Sequence, residues 1–495
     1  MLNIEKTRKS IADELPLWDQ PSIAVGIVKD GQILMNEGFG LADVETGRAA
    51  DSDTLYQIGS CSKSFTAAAA ALLVDRGLLD WDRPVVEYLP WLRFKDDFVT
   101  MNATTRDMLC HRTGLPRHDV YWINGPVTRR GMAENLRNMQ PGWSFRSHWC
   151  YQNTCYTAVG VLIEELSGMT WEEFIAKEFL EPLGMNRTTF YVDAIDSDPK
   201  GAKPYERDLP TDLHGYQRCA FLKSDREDMA AGIGAPYGPA GSVMSTVDDM
   251  LKWLQFNLAD GKYGDKQIVS EANMKEIHKP QMLLSEPLLA PFPHQDFFSY
   301  AMGWFTETHR GHLMVEHGGN INGFSALMTM VPDINLGIVT LTNFNDSFDT
   351  YATAFQIVDD CLDADDTNWN QYFRDLIAAV MESQPAQKEA MNGKPVEGTA
   401  PSHPLEDYAG TYTNACYGDM EISFRDGGLE LLYNKDGGKL THFHYDAFQI
   451  SNPRALLSDF VVYFRTGKSG KVDSLSIGIA LNPEIPDEVF TKKDC

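Results

Sequence analysis

Gly59-Ser60-Cys61-Ser62-Lys63-Ser64-Phe65 runs into an alanine tract, Ala67 to Ala71, and then Leu72-Leu73-Val74. Alanine and leucine are strong helix formers, so the tract predicts a helix beginning near Ser60, with Ser60 and Lys63 one turn apart on one face. A serine hydroxyl is a poor nucleophile at neutral pH. An unprotonated lysine amine within hydrogen-bond reach can take its proton, provided burial or neighbouring cations lower the lysine pKa. The helix N-terminus adds backbone donors for a developing oxyanion.

By itself a Ser-x-x-Lys is expected about once by chance in a chain of this size. A second copy stands at Ser197-Asp198-Pro199-Lys200. Its context is wrong for chemistry, because Pro199 with Asp196, Ser197 and Asp198 reads as a turn that would not hold the lysine over the serine. The remaining sequence has to choose between the copies.

The 495 residues, 43% of them hydrophobic, suit a globular protein with one large domain and a small one. With 43 basic against 70 acidic residues the formal charge is -27, which argues against nucleic acid or an anionic membrane as partner. The N-terminus lacks an apolar signal-like run, and no stretch of about 18 apolar residues appears, so the chain reads as soluble, unexported and cytoplasmic. Cys61, Cys110, Cys150, Cys155, Cys219, Cys361, Cys416 and Cys495 are scattered with no Cys-x-x-Cys pair. They read as free thiols in a reducing compartment; no metal or cofactor is expected.

Upstream of the nucleophile stretch, Ile4 to Leu17 reads as an amphipathic helix. Ser22–Val28 and Gln32–Met35 flank a turn at Lys29-Asp30-Gly31, a hairpin pattern. Helices are expected at Thr104–Leu109, Tyr156–Leu166 (closed by Gly168) and Trp171–Phe179, and after Thr246 as N-cap. Strands return at Tyr300–Thr306, His312–Glu316, Ser325–Val331 and Gly337–Thr342, before a helix over Tyr351–Leu362. Strands at both ends with helices between predict an α+β fold, an antiparallel sheet closed by both ends of the domain with a helical region inserted. The polar, proline-bearing stretch 381–404 reads as a linker between a domain at 1–380 and another at 405–495. The latter has short strands parted by turns at Asp426-Gly427-Gly428, Asp436-Gly437-Gly438 and Thr466 to Gly470, the pattern of a small all-β barrel.

Three signals follow one another: Ser60-Cys61-Ser62-Lys63, then Tyr151-Gln152-Asn153, then His317-Gly318-Gly319 leading into Asn320. In that order they resemble the serine β-lactamase and penicillin-binding-protein superfamily, and most closely its class C β-lactamase, D-aminopeptidase and esterase branch. Thr105 to Leu109 with Gly114-Leu115-Pro116, Glu181 to Met185, and Ala240 to Thr246 are similar to that branch's connecting signatures. The likeness spans roughly residues 20 to 360. Tyr412-Thr413-Asn414 and His309-Arg310-Gly311 repeat two of the triplets but stand out of order.

The resemblance implies that Ser60 attacks an acyl carbonyl while Lys63 and Tyr151 move the proton, with the choice of base left open. Asn153 would bond Lys63 or a substrate amide. The backbone N–H groups of Ser60 and Asn320 would bind the oxyanion, with Gly318 and Gly319 letting substrate lie along the strand edge. His317 stands where penicillin-recognising members have lysine, and imidazole is the weaker carboxylate anchor. A serine hydrolase of amides, esters or peptides is therefore expected in preference to a penicillinase. An acyltransferase or peptide cyclase would share the acyl-enzyme, and the intact triplets argue against a non-catalytic binding protein. The tail, with Tyr408 to Tyr412, resembles the lipocalin-like domain that follows some of these enzymes, and is expected to shape access for a small-molecule or peptide substrate or to build a homo-oligomer.

Overall fold

The structure, a computed structural model, describes residues 2–207, 216–222, 227, 232–284, 292–364, 366–452, 456–480 and 485–493. Cys495 lies outside them; the seven described cysteines are unpaired. The first helix, Ile4–Glu14, is capped by Asn3, whose side chain accepts from the Lys6 N–H. The expected hairpin follows as Ser22–Lys29 and Gln32–Asp43, with Asp30 and Gly31 both at positive φ, as a tight hairpin turn requires.

These strands belong to a nine-stranded antiparallel sheet. Its spatial order is Met282–Leu283, Phe298–Tyr300, Phe305–His309, His312–Ile321, Phe324–Val331, Leu336–Thr342, Ser22–Lys29, Gln32–Asp43 and Arg48–Ala49. Ala24 pairs with Leu341, so the two ends of the domain close one sheet. Phe324–Val331 and Leu336–Thr342 are buried throughout, which is why they read as continuous apolar runs and not as alternation. On one face Ile23, Val25 and Ile27 pack against Phe355, Trp369 and Phe373 of the helices Asp349–Cys361 and Trp369–Asn392. The other face carries the helix Val247–Leu258, and beyond it the helix Ser62–Asp75. There Phe65 stacks on Trp253 at 3.9 Å.

Three expectations shift. The strand expected over Tyr300–Thr306 is two, Phe298–Tyr300 and Phe305–His309, because Gly303 at positive φ turns the chain between them. Residues 381–392 are helical, the continuation of Trp369–Asn392 despite Pro385 within it. Alanine, glutamine, lysine and glutamate around Pro385 favour helix, and the exposed carbonyl it leaves is open to water. Lys388 Nζ and Asn392 Nδ2 tie this helix to Asp459, its side chain at 2.6 Å and its carbonyl at 2.9 Å. The turn expected at Asp436-Gly437-Gly438 falls two residues earlier, on Asn434 and Lys435, both at positive φ. Gly437 is needed inside the strand instead, since a Cβ there would stand 1.9 Å from the Leu431 carbonyl oxygen.

The C-terminal strands run in sequence order around a closed eight-stranded barrel, from Gly410–Asn414 to Glu488–Lys492, sealed by Tyr412 opposite Lys492. Tyr412, Met420, Ile422, Leu431, Phe464, Leu475 and Phe490 fill its core.

Candidate active site

The nucleophile stretch opens with a single 3-10 turn, Gly59–Cys61, before the α-helix Ser62–Asp75. The helix is buried from Ser62 to Leu73 among Trp253, Trp171 and Pro239: Trp253 Nε1 donates to Ser64 Oγ, and Trp171 Nε1 to Thr66 Oγ1. Three serines lie within reach of the helix start, and their surroundings separate them. Ser62 Oγ donates to the Gly59 carbonyl and accepts from the Val243 N–H, and Ser64 Oγ donates to the Cys61 carbonyl. Both are fully buried, whereas Ser60 is half-buried. Of the three, Ser60 alone has its side chain partly open to solvent.

Lys63 is 0% exposed, and its Nζ lies 3.0 Å from Ser60 Oγ, 2.8 Å from Asn153 Oδ1 and 2.8 Å from the Ala240 carbonyl oxygen. Burial, and after it the Arg117 charge, lower the lysine well below its usual range, with Asp119 opposing. The count of N–H bonds then matters. A neutral amine has two, and two of its three neighbours, the amide and carbonyl oxygens, can only accept. In that neutral form the two would take both N–H bonds and leave the lone pair facing Ser60 Oγ.

Asn153 opens the helix Asn153–Ser167 and cannot flip: its Nδ2 donates to both oxygens of Asp119, at 3.1 and 2.9 Å. Asp119 also accepts from Arg117 Nε and, at 2.9 Å, from Trp122 Nε1. The Lys63 Nζ lies 4.6 Å and the Arg117 guanidinium 5.3 Å from the centre of the Tyr151 ring. Burial raises the Tyr151 phenol above its usual range, against a hydrogen bond with Ser60 and the Arg117 charge.

His317 is enclosed, with both ring nitrogens occupied. Its Nδ1–H donates to the Gly318 carbonyl at 2.6 Å and its Nε2 accepts from the Tyr300 hydroxyl at 2.9 Å, while burial pushes its pKa down to about 3. The ring is neutral, 1% exposed, and has no donor to spare. The backbone around it does lie at the site. A Cβ on Gly319 would stand 2.0 Å from the Ile58 carbonyl oxygen and 2.9 Å from Ser60 N, and one on Gly59 2.9 Å from Asn320 N. Only glycine permits the strand His312–Ile321 to approach the 3-10 turn this closely, bringing the Ser60 and Asn320 backbones side by side.

The out-of-order motifs go elsewhere. Ser197 Oγ donates to the Asp193 carbonyl and Lys200 Nζ to Asp51. His309 Nε2 is 2.6 Å from Asp359 Oδ1, and the Tyr412 hydroxyl donates to the Tyr408 carbonyl. Sequence reading passed over Arg117 and Asp119, which directly follow Gly114-Leu115-Pro116, and the Ala240 carbonyl, which lies inside a quoted signature. A buried lysine's need for acceptors is a signal that leads to the Ala240 carbonyl; the sequence holds none for Arg117 and Asp119.

The family model described as Beta-lactamase matches residues 13–360. The chain belongs to the beta-lactamase family. Residues 394–492 match a domain of unknown function (DUF3471). An unguisins hydrolase of Aspergillus campestris is 27% identical, over 98% of this chain and 91% of its own length. Protein flp of Staphylococcus aureus strain N315 is 27% identical over 69% of this chain and 63% of its own. Among solved structures, the octameric penicillin-binding protein homologue from Pyrococcus abyssi superposes with a TM-score of 0.61 at 21% identity, over 99% of this chain and 100% of that one. The D-amino acid amidase of Ochrobactrum anthropi superposes with a TM-score of 0.56 at 20% identity, over 72% and 97%.

Proposed function

We propose that this beta-lactamase-family protein is a serine hydrolase that forms an acyl-enzyme on Ser60 and cleaves an amide or ester bond. The observation that carries the reading is the Lys63 environment, in which two pure acceptors use the amine's N–H bonds and leave its lone pair to Ser60. Ser60 Oγ bonds to the acyl carbon as its proton passes to Lys63 Nζ. The carbonyl oxygen takes up the negative charge between the Ser60 and Asn320 N–H groups. As the carbon–nitrogen or carbon–oxygen bond breaks, Tyr151, kept protonated by burial, gives its proton to the leaving group and is refilled from Lys63. Water then repeats the sequence in reverse and releases the acid.

Lys63 is thereby the base and Tyr151 the proton relay. Asn153 holds Lys63, the Gly318-Gly319 edge receives substrate backbone, and His317 supports that edge through Tyr300. With no charge on His317, a β-lactam carboxylate has no anchor there. Peptide or aminoacyl amides are the favoured substrates, a choice supported by the hydrolase relative that spans nearly the whole chain and by the fold shared with an amidase.

Incubation with a fluorophosphonate, followed by mass spectrometry, should give one adduct on Ser60. Ser60→Ala should abolish it, and Lys63→Ala should slow it by about 10³-fold. An adduct surviving Ser60→Ala would overturn the assignment. A screen of D- and L-aminoacyl amides, short esters and a chromogenic cephalosporin reads the substrate class; acyl products formed with added amines would point to transfer in place of hydrolysis.

A further inference from the structure

The barrel reaches the hydrolase domain at the segment that holds Asn153. The Tyr417 hydroxyl lies 2.6 Å from His118 Nδ1, and His118 Nε2 lies 3.0 Å from the Gln140 carbonyl oxygen. A carbonyl only accepts, so Nε2 carries the ring hydrogen and Nδ1 receives one from Tyr417. Burial pushes His118 down to about 4, keeping that arrangement at neutral pH. From the neighbouring barrel turn, Asn434 Nδ2 donates to the Tyr121 carbonyl at 3.0 Å, with the Val120 carbonyl at 3.4 Å. Asn135 Nδ2 donates to the Cys416 carbonyl at 2.8 Å alongside.

Between these contacts the chain makes a turn through the left-handed region. His118 has φ of 47°, in the left-handed region that a β-carbon disfavours. The residue that follows, Asp119, grips Asn153 Nδ2 with both oxygens, and the Asn153 amide oxygen faces Lys63 as a result. A continuous series of contacts therefore runs from Tyr417 through His118, Asp119 and Asn153 to Lys63.

We propose that Tyr417 and Asn434 of the barrel are positioning residues for the Ser60–Lys63 pair: they fix the turn at His118–Tyr121 so that Asp119 holds Asn153 with its oxygen toward the lysine. If the turn relaxes, Asn153 is free to rotate and can present its NH2 to Nζ. The amine then loses an acceptor, and its lone pair is no longer reserved for Ser60. Arg117, one residue before His118, shifts with the turn and changes the charge over Tyr151. The titratable and charged groups that act on Lys63 or ring it are Arg117, Asp119, Cys61, Tyr151, Tyr156, His111 and His317. The barrel contributes none of them and acts only through the turn.

The inference rests on Ser60 being the nucleophile, and the test separates the two. Tyr417→Phe, Asn434→Ala and the double variant are made in the full chain, with Tyr412→Phe as control, since the Tyr412 hydroxyl donates to the Tyr408 carbonyl inside the barrel domain. The rate of fluorophosphonate labelling of Ser60 is measured across pH, with kcat and KM for a small ester. The double variant should label about tenfold more slowly, with KM little changed and the midpoint of the pH profile displaced, while Tyr412→Phe follows the wild type. Wild-type labelling rates and profiles in folded Tyr417→Phe and Asn434→Ala would overturn the proposal, as would an equal loss in Tyr412→Phe. If Asn434→Ala does not fold, Tyr417→Phe, which keeps the ring, decides alone. No adduct on the wild-type chain would remove the nucleophile reading and this inference with it.

Discussion

At Arg117 one charge acts on two groups. The guanidinium sits over Tyr151 and lowers Lys63, while its Nε is held by Asp119, which pulls the lysine the other way. In the proposed mechanism the amine is the active form, so activity should rise with pH as Lys63 loses its proton. Removing the cation should raise the lysine pKa, and Arg117→Ala should move the acidic limb of kcat/KM to higher pH; a limb that stays put or moves down would show that Arg117 does not govern Lys63. Tyr151→Phe keeps the ring beside Lys63 and removes the hydroxyl proposed as the relay. It should lower kcat by about 10²-fold or more for amides and by less for activated esters, whose leaving groups need no proton. Equal losses on both would remove Tyr151 from leaving-group protonation.

Among the elements, the strands Phe305–His309 and His312–Ile321 carry a buried acid pair that chemistry at Ser60 does not use. Their register puts Phe305 opposite Glu316 and Glu307 opposite Met314, so the two glutamates lie diagonally across the ladder. Glu307 is 0% and Glu316 2% exposed, and Gln295 Nε2 donates to Glu307. Burial pushes Glu307 up to about 8 and, with the Glu307 charge, holds Glu316 well above the carboxylate range. A carboxyl raised in the folded state holds its proton there after the unfolded chain has lost it. Its contribution is therefore full below the ordinary value of about 4.3 and is lost as pH rises through about 8. Glu307→Gln keeps an acceptor for Gln295 and cannot ionise. It should gain on the wild type as pH rises, its melting temperature higher by about 2 °C or more at pH 8.5 and nearly equal at pH 5. A gain confined to acid pH would contradict the assignment.

For the molecule as a whole, 70 acidic residues outnumber 43 basic ones, and among the described residues Arg117 is a cation beside the candidate site. Such a field attracts cationic substrates and repels anionic ones, and it fades as the Debye length falls from about 30 Å at 0.01 M salt to about 8 Å at 0.15 M. Paired esters that differ only in a remote charge should show it: kcat/KM for the cationic ester falls with salt and for the anionic ester rises. Parallel salt curves would show that the net charge does not reach the site. No helix among the described residues is long and apolar enough to cross a membrane.

The sequence by itself determined the two-part architecture and the Ser60–Lys63 spacing, because these are local matters. Alanine-rich helix, hairpin turns and apolar strands each declare themselves over a few residues, and the ordered triplets name a family. It could not separate Ser60 from Ser62 and Ser64 by environment, since their differences lie in partners such as Val243, which is distant in the chain. Nor could it show that His317 is neutral and enclosed, that residues 381–392 continue a helix, that Asp119 holds Asn153, or that the Ala240 carbonyl accepts from the lysine. Those were decided by tertiary structure alone, because a buried amine's protonation and orientation depend on every acceptor and charge that folding gathers around it.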